Sequence, residues 1–394
     1  MTGITIEVVN STPLLVGWYD PNLVDPLGLR TTEIKGIWRW WARAIIGGVL
    51  YDEGVLVGVS EGKVVKRPSR EEVRLVSYYV GKVLGLGYAG PQGSESSRFI
   101  VRTETLSSHL IRRMREEARR SQRPNLLALA GSGREYVPED AKFRITVQIR
   151  SRYGDGESLA LKILILALQL SGVGKGSRRG LGSLDVTGVT SLGIRMSYEL
   201  KEFLDEVYED ASNIVRKYGE GLSSKLVRSR NDRALPPLPV VSKSVIEGIN
   251  VSGIYVVRGG RNLQDLFHDI RNFFVRSERC RKLYNNRSVC DDELRLKQQA
   301  WILGLPRIEI EGVDRRASPL MVSCHSERNI FGGGVFVTIT VSGDWPRRLK
   351  WLNRGNSKNI NVGEADIVSA TTTAIKEFKE YVRKSGYALV KVWP

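Results

Sequence analysis

Lys35, Arg39 and Arg43 recur at intervals of four, and Trp40 stands among them. On a helix, at about 100° per residue, that spacing draws the three cations into one stripe. Ile34, Ile37, Trp38, Trp41, Ile45 and Val49 share an adjoining apolar face, and Trp40 sits past the stripe near Gly36 and Gly47. A ring at the edge of a row of cations suits nucleic acid, because phosphates meet the charges while a base stacks on the ring. The same pattern fits an amphipathic helix whose Lys and Arg cover its flank and whose Trp40 packs on a neighbour. The helix alone does not separate the two readings.

A second stretch bears on the choice. Residues 172–183 read Gly-Val-Gly-Lys-Gly-Ser-Arg-Arg-Gly-Leu-Gly-Ser, five glycines interleaved with Lys175, Arg178 and Arg179. Glycine lets backbone come close to a ligand, and exposed N–H groups beside cations collect phosphates. A nucleotide P-loop is excluded, since no Gly-Lys-Ser/Thr occurs. The dinucleotide fingerprint is excluded because this loop follows a helical pattern, whereas that motif follows a strand. A basic surface loop remains the alternative. Arg30, which leads into the tryptophan helix, and Arg98, which opens a strand, join the candidate nucleic-acid contacts.

The 60 basic and 43 acidic residues leave a net charge of +17, which predicts attraction to a polyanion. Catalysis finds less support. Metal-independent RNA cleavage usually needs a general base near neutral pKa, most often His. The chain has only His109, His268 and His325, of which His109, at the start of an arginine-rich segment, is the best placed. Asp291-Asp292-Glu293 reads as a helix start, where negative charge is favoured. Cys280, Cys290 and Cys324 show no Cys-x-x-Cys spacing, so no structural zinc is expected, while pairing of Cys280 with Cys290 stays open. No cofactor or metal is expected, and the chain is not expected to be an enzyme.

The elements that must position these residues follow from periodicity. A strand over 3–9, the tryptophan helix over 33–50, a strand over 98–102, a strand over 143–149, an apolar helix over 158–170 and a strand over 183–190 make a βαββαβ series. Ser69 should cap a further helix running to about residue 84. Residues 107–123, with six arginines, read as a helix, either an arm that touches RNA or a solvated helix laced by Glu–Arg pairs. After a helix over 198–218 and a polar stretch containing Leu235-Pro-Pro-Leu-Pro239, the series repeats less clearly. It gives a strand over 251–257, helices over 262–282 and 294–303, strands over 319–324 and 335–341, a helix over 365–383 and a strand over 388–393. The expected fold is α+β, two ferredoxin-like (RRM-like) domains with helical insertions, over 1–198 and 241–394, joined by 199–240. The best apolar run, 159–170, contains Lys162 and is too short to cross a bilayer. The N-terminus has no basic region followed by a long apolar one, so a cytoplasmic protein without a membrane partner is expected.

Thr12-Pro13-Leu14, then Leu29-Arg30, then the run from Ile34 to Ala44 resemble the N-terminal signature of the first-subunit family of the Cmr (type III-B CRISPR) effector, within the RAMP superfamily. The loop over 172–182 is similar to the glycine-rich loop of RAMP proteins, and Leu303-Gly-Leu-Pro306 and Arg315-Arg316-Ala-Ser-Pro-Leu320 also resemble segments of that subunit family. The resemblance implies two RRM-like domains and a non-catalytic place in a ribonucleoprotein with other RAMP subunits. That place is near the 3′ end of the CRISPR RNA, where complementary target RNA is captured and base pairing supplies sequence choice. It implies Lys35, Arg39 and Arg43 as helix cations, Lys175, Arg178 and Arg179 as loop cations, and Arg315 and Arg316 as a second-domain pair. Two other classes stay open: a guide-processing endoribonuclease using His109, and a basic RNA-binding scaffold outside CRISPR.

Overall fold

The inward residues of two strands set the first core. In β1 (Gly3–Asn10) Ile4, Ile6 and Val8 alternate inward, and in β3 (Lys142–Ile149) Phe143, Ile145, Val147 and Ile149 do the same. Such strict alternation is what a sheet buried on one face requires. The computed structural model describes residues 3–20, 23–90, 93–107, 111–113, 135–150, 154–191, 197–219, 234–260, 262–274, 279–280, 293–294, 296–297, 310–311, 319–353 and 356–394.

With β2 (Phe99–Thr105) and β4 (Leu184–Ser191), these strands form an antiparallel sheet in the order β2-β3-β1-β4. Helix α1 (Thr31–Asp52) joins β1 to β2, and α3 (Asp155–Leu170) joins β3 to β4. The insertion after α1 carries α2 (Arg70–Tyr78), which Ser69 caps: its hydroxyl accepts from the Glu72 N–H while the Glu72 carboxylate accepts from the Ser69 N–H.

The second half follows the same series. Strands β5 (Ser252–Arg258), β6 (Leu320–His325), β7 (Gly334–Thr340) and β10 (Ala388–Trp393) form a sheet in the order β6-β7-β5-β10. Helix α5 (Leu263–Phe273) follows β5, and α6 (Glu364–Lys384) precedes β10. Each half therefore runs strand–helix–strand–strand–helix–strand, with its first and third strands central. A hairpin of β8 (Arg348–Asn353) and β9 (Asn356–Asn361) is inserted before α6, an element absent from the sequence expectation. Its polar second strand, Asn-Ser-Lys-Asn-Ile-Asn, has poor strand propensity, and pairing with β8 overrides it.

Helix α3 lies at the centre, against α1, β4, β6 and α4 (Leu200–Gly219). Every residue from Leu159 to Leu170 is buried, which explains an apolar character that runs all round the helix. Lys162 survives there because its ammonium lies 2.6 Å from both Glu206 and Asp210 of α4. Burial lowers its pKa, but those two hydrogen bonds outweigh burial and raise it.

Two expectations change. Arg112–Arg113 form a short ladder with Glu135–Tyr136, not a helix; the remainder of 107–123 lies, apart from 107 and 111, outside the described residues. The stretch read as a polar connection packs into the fold at its Leu235-Pro-Pro-Leu-Pro239 end: Leu235, Pro236, Val240, Val241 and Ser242 are buried, and the Val241 N–H donates to the Ala44 carbonyl of α1. Among the described residues, no helix is long and apolar enough to cross a membrane.

Candidate nucleic-acid interface

Two buried indoles fix the rotation of α1. Trp38 donates its Nε1–H to the Ala160 carbonyl at 2.6 Å, and Trp41 donates to Ser171 Oγ at 3.2 Å. Both anchors sit on or next to α3, so the opposite flank of α1 faces outward with its cations. Counted from Lys35, Arg39, Arg43 and Trp40 lie about 40°, 80° and 140° round the helix. Arg43 is exposed, while Lys35, Arg39 and Trp40 are partly buried. Ile37, placed on the apolar face by spacing, is only partly buried, at the edge of the core.

The glycine loop comes to that same flank. The Arg178 guanidinium carbon stands 4.8 Å from the Trp40 ring centroid, a cation–π contact. Trp40 in turn meets Trp41 edge-on at 5.3 Å, so the ring is held between core and cation. Lys175 lies beside Gly17 and near Glu33, the carboxylate on the first turn of α1. Helix and loop therefore meet at Trp40 with Arg178, and Lys175 is close enough to Glu33 to act on its charge.

The glycines of this loop have a reason other than a phosphate cradle. A Cβ at Gly172 would stand 2.1 Å from the Leu181 carbonyl oxygen, at Gly182 2.1 Å from that of Val173, and at Gly180 2.4 Å from the Phe267 ring. The loop closes on itself and on α5, so close approach here is to protein.

The remaining candidates divide. Arg179 is 6% exposed, turned into the molecule where the loop pairs with Val322 of β6. Arg98 is a brace: it pairs with the buried Glu157 and donates to the carbonyls of Lys82 and Val83. Arg30 pairs with the buried Asp25. Arg39 keeps two N–H groups on the Leu86 carbonyl, at 3.0 and 2.7 Å. Arg315, Arg316, His109 and the segment Leu303-Gly-Leu-Pro306 lie outside the described residues. His325 is fully buried, with Nδ1 3.1 Å from Asp185 and Nε2 2.7 Å from the Gln169 carbonyl, a structural arrangement that leaves neither nitrogen to a substrate. Cys324 is free, and burial pushes its thiol well up, which makes it a poor nucleophile. Cys280 is disulfide-bonded, and among the described residues no three His, Cys, Asp or Glu side chains gather as metal ligands.

Sequence spacing missed Glu33, a carboxylate set into the cationic flank. Burial pushes its carboxyl from the usual 4.5 up to about 7, with Arg30 and Lys175 lowering it and Asp25 raising it. One of its oxygens is buried without a hydrogen-bond partner among the described residues. The signal available in the sequence was the sign reversal itself, one acid two residues before Lys35 in a run of cations. An acid whose folded pKa is raised costs stability as pH climbs from 4.5 to about 7, because the unfolded chain gives up its proton first. Glu33→Gln should remove that decline and leave the protein more stable than the parent at pH 8. Urea melts at pH 5 and pH 8 check this; parallel pH trends in both proteins would disprove it.

Residues 12–185, which hold α1, α3 and the glycine loop, match the RAMP superfamily. The chain is 25% identical over 307 residues to the CRISPR system Cmr subunit Cmr1-1 of Pyrococcus furiosus, covering 74% of this chain and 75% of that one. The crystal structure of Cmr1 from Pyrococcus furiosus in its apo form superposes with a TM-score of 0.57 at 18% identity, over 100% of this chain and 99% of the other. A chain in the cryo-EM structure of a type III-B Cmr-beta complex, bound to cognate target RNA and AMPPnP in the presence of ssDNA, gives 0.54 at 12% identity, over 97% and 99%. At these identities the solved structures speak for the fold. In this chain the residues of α1 divide between indoles that seat the helix and cations left on its outer flank.

Proposed function

We propose that the chain is a non-catalytic RNA-binding subunit of a type III-B CRISPR ribonucleoprotein, built from two ferredoxin-like units spanning 1–198 and 241–394. It sits near the 3′ end of the CRISPR RNA beside other RAMP subunits and helps to capture complementary target RNA. The carrying observation is the contact of Arg178 with Trp40, which unites the loop and the helix of the RAMP segment in one cationic flank. Lys35, Arg43, Lys175 and Arg178 supply phosphate contacts there, and Trp40 supplies the ring. The likeness to a Cmr subunit over most of both chains and the excess of basic residues support the reading. Both ring nitrogens of His325 are occupied, so it is not a general base.

Replacing Lys35 and Arg43 together by Ala should weaken binding of a single-stranded oligoribonucleotide and flatten the slope of log K against log salt. Each lost phosphate contact on a single strand removes about 0.7 from that slope. Neither side chain is fully buried, so the fold should persist. Fluorescence anisotropy over a salt series measures it, and an unchanged slope would mean that this flank faces something other than RNA. Incubation of the parent with labelled CRISPR RNA tests the endonuclease alternative, since cleavage that His109→Ala abolishes would replace the non-catalytic reading.

A further inference from the structure

Arg39 and Arg43 do more than line a flank. Together they form one wall of a cavity of about 430 Å³, whose other walls include Ser77, Tyr88, Glu95 and Ser96. The cavity is built by unusual backbone. Helix α2 runs into a π-turn, Tyr79–Val83, in which the Leu84 N–H reaches the Tyr79 carbonyl at 2.8 Å; such turns recur at functional sites. Two glycines then make room for the Tyr88 side chain: a Cβ at Gly81 would stand 2.9 Å from its Cβ, and one at Gly90 2.3 Å from its hydroxyl oxygen. The Tyr88 ring therefore lies along its own strand, over Gly90, in the short hairpin Tyr88–Gly90 and Gly93–Glu95. Leu86 fixes the Arg39 guanidinium through Nε and Nη2, which leaves Nη1 as a donor, and Arg98 braces the end of the π-turn from behind. Glu95, the acid in the wall, is faced by Lys82 at 3.6 Å, so its charge is offset.

Two cations, hydroxyls and one aromatic ring round a space of this size match a small polar anion with a planar part. The volume lies at the lower end of the range for small-ligand sites, about 300–1,000 Å³, and excludes a duplex. We propose that this cavity takes one ribonucleotide of single-stranded RNA turned out of the strand, its phosphate on Arg39 and Arg43 and its base against Tyr88. The proposal rests on the RNA-binding reading above and adds to it a subsite at which the strand is held by a single residue. Arg43 joins the subsite to the Trp40–Arg178 contact, because it lies between Arg39 and Trp40 round the helix. Ser77 and Ser96 give base edges and the 2′-hydroxyl something to bond.

The test uses the full chain and an eight-residue oligouridylate carrying 5-iodouridine, which crosslinks to aromatic rings on irradiation. A crosslink to Tyr88, found by peptide mass spectrometry, is expected. Tyr88→Ala should lower affinity roughly tenfold, the scale of one base–aromatic stack. Ser96→Glu, at an exposed position on the rim, should lower it through charge repulsion without touching the core. Parental affinity in both variants, with crosslinks only at Trp40, would remove the subsite while leaving the RNA-binding reading intact. Failure of the parent to bind the oligouridylate at all would remove that reading itself.

Discussion

Gly48→Ala should unfold the protein or cost it at least about 3 kcal/mol. Propensity alone predicts the reverse, because alanine in a helix interior is favoured over glycine by about 1 kcal/mol. Packing decides the sign. A Cβ at Gly48 would stand 1.6 Å from the Val241 carbonyl oxygen and 3.2 Å from the Ser242 nitrogen, both backbone atoms that no rotamer change can clear. The segment cannot retreat cheaply, since Val241 donates to Ala44 and the Asp52 carboxylate accepts from Ser244 Oγ at 2.6 Å and from the Lys243 N–H at 2.8 Å. Gly36→Ala is the internal control: nothing lies within 4 Å of its Cβ position, so it should stabilise by about 1 kcal/mol. Thermal melts of the two variants measure the contrast. Equal melting temperatures would show that the 234–242 segment does not sit on α1.

Asp185→Ala should cost about 3–5 kcal/mol, the scale of removing one partner from a buried charged network. Asp185 is fully buried on β4, and its two oxygens meet His325, the N–H and hydroxyl of Ser326, and Arg328. These partners all come from β6 and the turn after it, so the network ties the first sheet to the second. Burial raises the pKa of Asp185, but the hydrogen bonds from His325, Ser326 and Arg328 outweigh burial and hold it below the ordinary carboxylate value. The sign for pH follows. A carboxyl whose folded pKa is depressed contributes stability above its unfolded value, about 3.9, and loses it as pH falls through the lower folded value. The parent should therefore lose stability below about pH 4 more steeply than Asp185→Asn, which has no proton to take up there. Denaturant melts at pH 7 and pH 3 check both statements. A loss under about 1 kcal/mol for the alanine variant at pH 7 would mean that the seam holds without this carboxylate.

The division between legible and illegible runs through single residues. The partner of His325 was not legible in the sequence, because nothing local connects residue 325 to residue 185; the sheets bring them together. Arg178 and Arg179 are indistinguishable as neighbours, yet one covers Trp40 and the other is buried. The reason is the bridge to Val322, which fixes the loop backbone so that successive side chains point to opposite sides. The five glycines announced close approach correctly but not to what, since a Cβ clash with Leu181 or Phe267 depends on chain segments distant or folded back in space. Glu33 follows the same rule: its raised pKa depends on burial that spacing does not encode.

By itself the sequence determined the two strand–helix–strand–strand–helix–strand series, the alternation of β1 and β3, the presence of α1 to within two residues at each end and the cationic excess. Those properties arise from period-2 and period-3.6 patterns and from charge, which act over a few residues or over the whole chain without regard to geometry. Only the tertiary structure decided which cations stay outside. That choice rests on contacts between residues far apart in the chain, where Trp38 and Trp41 lock α1 onto the apolar helix and its end, and the glycine loop, pinned to β6, lays Arg178 against Trp40.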